Sequence, residues 1–551
     1  MKDVKTEDPS VNIASSLSDM ALQQPDSLAI AAPPRKGASP DTYVRWTYRE
    51  LNDASDRVAR GLPPYGIQKG TRTIVMVKPS LELFALTFGL FKLGAIPVLM
   101  DPGIGARNLG LCLEEAEPEA FIGIPKAHLA RKLFGWGRKT IRSLVTVGPR
   151  LFWGGATLQQ VMSAGADIPG EKIAPTRSDD VAAILFTSGS TGVPKGVVYQ
   201  HGNFVAQVEA IRNLYDIRPG EVDLPTFPLF GLFDPALGMS TVIPDMDPTR
   251  PARVDPRRIL PAMEAFGVTN MFGSPALLNT LGRYGEKHGV RIPGLKRVIS
   301  AGAPVSLPVM ERLLKLLDED SHVVTPYGAT ESLPVTSIGS DEIFGESDLP
   351  SQTLAGKGVC VGRPLPGVEI SIVPVSDQPE KDLRVLPSGE TGEVVVQSLM
   401  TTRSYYNRPR STEEAKIPMA GGGVAHRMGD LGFMDEKGRL WFCGRKSQRV
   451  ITSSETLFTV PCELVFNGHP SVFRSALVGV EKGGDVIPVI CVELEPGKKV
   501  STEELCDRAL SQPHTAGIET FLIHPGFPVD IRHNAKIRRE ELRLWAAERL
   551  R

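Results

Sequence analysis

Short apolar runs that stop at glycine- or proline-rich turns recur along the chain and alternate with segments of helical period. The runs are TIVMV around Val75, AAILF around Ile184, RVIS around Val298 and HVVTPYG around Val324. Between them lie WTYRELNDASDRVARGL and NFVAQVEAIRNLY. In the second, Phe204, Val208, Ile211 and Leu214 fall on one helical face behind Asn203, which reads as an N-cap. Consecutive parallel strands need a crossover, and a helix is the usual one, so this alternation predicts α/β layers on parallel sheets. The most apolar window, LELFALTFGLFKLGAIPVLM from Leu81, carries Glu82 and Lys92 and breaks at Gly94 and Pro97. It falls short of the roughly 20 clean residues that a membrane span needs and reads as a buried helix followed by a core strand.

Past Gly367 the pattern changes. GVEISIVPV and GEVVVQS have strand character, and GFMDEKGRLWFCGR reads as a hairpin turning at Asp435 to Gly438. From about Arg445 another unit begins, with strands SALVGV and VIPVICVEL and a closing amphipathic helix, RREELRLWAAERL. The expected organisation is α/β. A large N-terminal domain, residues 1–444, comprises two α/β layered subdomains plus a β-rich one, and a small mobile α+β domain follows over 445–551.

At 551 residues, 41% of them hydrophobic, the chain is long enough for about three or four domain-sized units. The formal net charge of -1 favours neither nucleic acid nor a membrane surface as partner, which leaves small molecules. The six cysteines form no CxxC pair and read as reduced thiols, and the first residues lack the pattern of a signal peptide, so the expected location is cytoplasmic.

The segment LFTSGSTGVPKG, Leu185 to Gly196, is the strongest chemical signal. Gly189 and Gly192 let backbone N–H groups turn inward. Thr187, Ser188, Ser190 and Thr191 add hydroxyls and Lys195 a cation, the donor set that cradles phosphate. A Walker loop does not fit, because Gly196 follows the lysine instead of preceding it. A kinase or motor ATPase is therefore disfavoured.

With YGATE at Tyr327 to Glu331, MGDLGFMDEKGRLWFCGRKSQRV from Met428 and NAKIRREEL from Asn534, in that order, the chain resembles the adenylate-forming superfamily over nearly its whole length. That superfamily includes acyl- and aryl-CoA synthetases, firefly luciferase and the adenylation domains of peptide synthetases. The resemblance implies ATP and Mg²⁺ as cofactors. It places adenine against Tyr327, Gly328 and the SAGAP loop of Ser300, Ala301, Gly302, Ala303 and Pro304. Phosphate would fall to Thr330 and Lys195, Mg²⁺ to Glu331, and the ribose to Asp430 and Arg445. Lys536 would sit between the acyl carboxylate and the α-phosphate.

Two departures from the common pattern bear on the acceptor. Gly231 in PLFGLFDPALG stands where relatives often carry histidine, and no glycine lies between Arg445 and Gly468, where thioester-forming relatives have a glycine loop for pantetheine. The segments FGLFDPALGMSTVIPDMDPTRPA and TVPCELVFNGHP resemble the β-lactone synthetases of bacterial long-chain olefin biosynthesis. That likeness implies a 2-alkyl-3-hydroxy fatty acid whose own β-hydroxyl displaces AMP, with a β-lactone decarboxylase and a reductase as pathway partners. His201 and Asp234 are the candidate bases for that hydroxyl, and Phe204, Phe227, Phe230 and Phe233 the candidate lining of the acyl tunnel. A long-chain acyl-CoA or acyl-AMP ligase and a non-catalytic nucleotide-binding scaffold are the alternatives.

Overall fold

The computed structural model describes residues 10–100, 104–169, 173–186, 194–345, 348–378, 383–529 and 536–551. Thr187, Ser188, Gly189, Ser190, Thr191 and Gly192 of the glycine-rich segment lie outside the described residues, as do Asn534 and Ala535.

Two mainly parallel sheets organise the first part of the chain. The seven-stranded sheet runs, in spatial order, Ala156–Thr157, Ser143–Thr146, Ala120–Gly123, Arg72–Met76, Ile96–Met100, Val181–Phe186 and Gly196–Gln200, with only the last pair antiparallel. In the nine-stranded sheet a parallel centre, from His322–Ala329 through Arg297–Ile299, Asn270–Phe272, Val222–Pro225 and Ser240–Val242 to Leu28–Ala32, is flanked by antiparallel edges. All four apolar runs read from sequence are strands of these sheets.

Local chemistry explains how the helices sit. Tyr48–Gly61 opens on a capping box in which Thr47 and Glu50 satisfy each other's backbone N–H groups. It closes against Leu158–Ala166 at a glycine contact, where a Cβ on Gly61 would fall 1.9 Å from the Val161 carbonyl oxygen. Leu81–Leu93 is buried on nearly every face and ends at Gly94, whose φ of 72° supplies the left-handed cap, so the apolar window is a core helix. His201–Tyr215 begins three residues earlier than the Asn203 cap predicts, with Gln200 at the cap position. The strand Gly196–Gln200 runs straight into the helix, and Asn203 Oδ1 accepts the Gln200 N–H at 3.0 Å from within the first turn.

The antiparallel third sheet contains Val359–Cys360, Leu440–Arg445, Val424–Met434, Gly392–Gln397 and Glu369–Val373, with Lys416–Pro418 beside Val424–Met434. Its hairpin turns at Asp435 to Gly438 as expected, and the Gly438 N–H donates to the Asp435 carbonyl at 2.9 Å. The last hundred or so residues build a sheet of Val472–Lys482, Asp485–Leu494 and Thr520–Ile523, flanked by Thr459–Asn467, Thr502–Leu510 and Arg539–Arg549. Its two apolar cores, around Phe466 and Ile490 and around Val489 and Leu542, draw only on residues beyond Arg449. Among the described residues no helix is long and apolar enough to cross a membrane.

Candidate active site

The end of the strand His322–Ala329 presents Tyr327, and the hairpin of Val424–Met434 with Leu440–Arg445 places Asp430 directly opposite Arg445. The Tyr327 hydroxyl donates to Asp430 Oδ2 at 2.7 Å, and Arg445 Nη1 donates to Asp430 Oδ1 at 2.7 Å. Burial pushes the Asp430 carboxyl up from its ordinary range. Arg445 and the Tyr327 hydroxyl oppose that shift, and the Lys536 ammonium adds a smaller pull in the same sense. Lys536, carried by the last sheet's unit, thus lies within electrostatic reach of Asp430 in this structure.

Each Asp430 oxygen keeps acceptor capacity for a ribose hydroxyl. Around it, Arg445 Nε and the Ser300 hydroxyl are buried without a partner among the described residues, as befits donors kept for a polar ligand. The backbone at Gly302 is left-handed, φ 91°, which turns the SAGAP segment at the end of Arg297–Ile299. These features fit a nucleoside.

Glu331, Lys195 and a residue the sequence reading missed, Tyr405, form the other end of the site. The Tyr405 hydroxyl donates to Glu331 Oε1 at 2.6 Å, and Lys195 Nζ stands 4.9 Å from the Tyr405 ring centre. Thr402 holds the Glu331 carbonyl through its N–H and its hydroxyl, at 2.9 and 3.0 Å, and the Tyr199 hydroxyl holds the Thr330 carbonyl at 2.6 Å. Lys416 lies close by, its ammonium 5.9 Å from the Tyr405 ring and bonded to the Thr402 hydroxyl at 3.3 Å. Burial pushes its pKa down to about 7, against the pull of Glu331. The aromatic pair in SYYNRP was the available signal for Tyr405; nothing in the sequence marks Lys416 as buried. Among the described residues no group of three or more acidic, histidine or cysteine side chains gathers to hold a metal. A single carboxylate such as Glu331 fits Mg²⁺ that is shared with phosphate oxygens.

An apolar pocket runs from Ala301, Tyr327 and Gly328 to Phe230, Phe233 and Leu237. Two of the four expected phenylalanines line it. Phe204 instead stacks on Tyr199 at 4.7 Å, and Phe227 rests on Phe230 at 5.5 Å. Gly231 is buried above Pro225, and a Cβ there would fall 2.7 Å from Pro225 Cγ. Position 231 therefore has no room for a side chain in this packing.

His201 does not line the pocket. Its Nδ1 accepts the Ile13 N–H at 3.3 Å, its ring packs edge-on to Phe91, and burial pushes its pKa down to about 4. This geometry corrects its reading as a base: the side chain ties the N-terminal segment to the first sheet. Beyond Arg445 the chain makes a short turn at Lys446–Gln448 and a tight hairpin of Val450–Ile451 with Thr456–Leu457, pinned where the Thr452 hydroxyl meets the Glu455 carbonyl at 3.0 Å.

The nucleotide-fitting end and the adjoining apolar pocket agree with the comparisons to known proteins. Residues 17–406 match the family of AMP-binding enzymes. The chain belongs to that family and is an ATP-dependent, adenylate-forming enzyme. Within it, the chain is 51% identical to an olefin beta-lactone synthetase of Xanthomonas campestris pv. campestris, over 98% of each chain. It is also 51% identical to an olefin beta-lactone synthetase of Stenotrophomonas maltophilia, again over 98% of each. Its fold matches ATP-bound MatB from Rhodopseudomonas palustris with a TM-score of 0.79 and 20% identity, over 98% of this chain and all (100%) of that one.

Proposed function

We propose that the chain is an ATP-dependent olefin β-lactone synthetase that adenylates a 2-alkyl-3-hydroxy fatty acid and closes it to a β-lactone. The observation that carries this reading is the continuity of the apolar pocket with the nucleotide end at Ala301, Tyr327 and Gly328. An acid whose chains lie among Phe230, Phe233 and Leu237 directs its carboxylate toward that end.

Tyr327 and the SAGAP loop hold adenine, Asp430 and Arg445 the ribose, and Lys195 with Thr330 the phosphates. Glu331 would hold Mg²⁺, which would supply charge neutralisation for the departing phosphates. Lys536 stabilises the crowded α-phosphate as the carboxylate attacks and pyrophosphate leaves, a kind of stabilisation commonly worth about 3 to 4 kcal/mol. The β-hydroxyl then attacks the acyl carbon, and AMP departs. Because that nucleophile is tethered, effective molarity replaces a binding site for a second acceptor. The tight, glycine-free hairpin after Arg445 is consistent with a site that does not seat pantetheine.

Residues 445–551 act in this reading as a lid that carries Lys536, its hinge at Arg445 to Gln448. The separate cores beyond Arg449 support that division. Protease cleavage at the hinge that does not respond to ATP and acid would contradict it. A cytoplasmic location, a decarboxylase that consumes the lactone and an associated reductase belong to the same proposal.

Incubation with ATP, Mg²⁺ and a synthetic 2-alkyl-3-hydroxy acid, with and without CoA, tests the function. The expected products are β-lactone, AMP and pyrophosphate in both cases. A CoA thioester as sole product would refute the reading in favour of a ligase, and release of ADP would point to a kinase.

A further inference from the structure

The apolar pocket contains a polar patch that nucleotide binding leaves unused. Asp223, from the strand Val222–Pro225, and Asp234, at the start of the short helix Asp234–Leu237, both line it beside Asn270. They are 3% and 4% exposed, and neither forms an ion pair with any described residue. The two carboxyls lie within electrostatic reach of each other, and burial together with the Asp223 charge favours the protonated form of Asp234. Asn270 lies level with Asp223 on the neighbouring strand and donates to its Oδ1 at 2.5 Å. The Thr241 hydroxyl donates to Asp234 Oδ2 at 2.8 Å. Arg297 stands one step away, bonded to Asn270 Oδ1 at 3.2 Å and paired with Glu221 at 2.6 Å. Tyr48 packs behind Asp234 with its hydroxyl committed to the Met239 carbonyl, and Tyr215 and Tyr327 complete the polar groups near the patch.

Two buried carboxyls with no cation of their own are costly to keep in an apolar wall, and such pairs concentrate where proton transfer is needed. We propose that Asp223 and Asp234 are the proton acceptor of ring closure, holding the β-hydroxyl of the bound acyl adenylate and taking its proton as its oxygen attacks the acyl carbon. This rests on the β-lactone reading above. In the step, the ring C–O bond forms and the bond from the acyl carbon to the AMP oxygen breaks. AMP leaves with that electron pair, and the hydroxyl proton passes to the pair, which later returns it to solvent. No further reactant is required. Burial pushes Asp223 up to about 7 and Asp234 well above the carboxylate range. The pair therefore carries one negative charge above about pH 7 and none below it, acting as a unit.

The test measures β-lactone formed per pyrophosphate released. This ratio separates ring closure from adenylation. With Asp223→Asn or Asp234→Asn it is expected to fall about 100-fold or more, with free 3-hydroxy acid or acyl-AMP in place of lactone. A ratio equal to that of the unaltered protein in both variants would overturn the proposal. Should neither variant release pyrophosphate, the unaltered protein decides. Its ratio is expected to drop as pH falls from about 8.5 to about 6 with a midpoint near 7, and a flat ratio over that range would overturn the proposal. Failure of the unaltered protein to form lactone at any pH, despite pyrophosphate release, would refute the β-lactone reading itself. Lactone formation that survives both asparagine substitutions would refute the aspartate pair alone.

Discussion

Replacing Asp430 by asparagine isolates the nucleotide-binding network with the least change of shape. The carboxylate is 5% exposed and accepts two hydrogen bonds of 2.7 Å, one from Tyr327 and one from the Arg445 guanidinium. An asparagine keeps one acceptor oxygen but turns the other atom into a neutral NH₂ group, which cannot accept from the guanidinium and meets the Tyr327 hydroxyl only if that hydroxyl turns to accept. At least one bond to a charged partner is lost, and such bonds contribute about 1.5 to 3 kcal/mol. That corresponds to about a 10- to 150-fold loss in kcat/KM for ATP at about 1.4 kcal/mol per decade. The loss is expected mainly as a raised KM for ATP, read from pyrophosphate release at saturating acid. Thermal melting with and without ATP provides the control, because ATP should stabilise the variant less than the unaltered protein. An unchanged KM for ATP in a variant that melts normally would refute the assignment of Asp430 to the ribose.

Three further outcomes follow from the geometry. Lys536→Ala should lower the rate of pyrophosphate release by about 100- to 1,000-fold while leaving the KM for ATP within a few-fold, as measured by steady-state kinetics. Gly231→Val should impair activity on acids with a long 2-alkyl branch more than on unbranched acids, since its side chain collides with Pro225 and displaces the pocket wall; equal loss on both would contradict that placement. His201→Asn should lower the melting temperature through loss of the Ile13 contact and the packing on Phe91, yet leave the pH dependence of lactone formation in place. A shifted pH midpoint in that variant would return His201 to the chemistry.

The frame of the molecule was legible because its strands are short apolar runs ended by turns, and all four of the runs quoted around Val75, Ile184, Val298 and Val324 are strands of the two large sheets. The Asp435 hairpin was equally legible, since its turn residues are local. Contacts between distant segments were not. Phe204 has the helical spacing of a pocket residue, yet it faces Tyr199, because the helix starts at His201 without an intervening loop. His201 looked chemical because imidazoles often are, but its role is set by Ile13 and Phe91, nearly two and just over one hundred residues away in sequence. Asp234 stood out within FDPALG, whereas its partner Asp223 is a single acid in a short strand whose pairing with Asn270 arises only when parallel strands align. Tyr405 and Lys416 enter the site from the third sheet and its approach, and no local pattern reveals that burial.

In the proposed reaction the carboxylate is activated and the hydroxyl attacks it. Isotope labelling tests this directly. An acid carrying ¹⁸O in both carboxylate oxygens and unlabelled oxygen in its β-hydroxyl is turned over with ATP, and the products are weighed by mass spectrometry. Adenylation followed by displacement predicts AMP bearing one ¹⁸O and a β-lactone retaining one, in its carbonyl. A lactone with both labels, together with unlabelled AMP, would mean that the hydroxyl had been activated and displaced by the carboxylate, and would contradict the account.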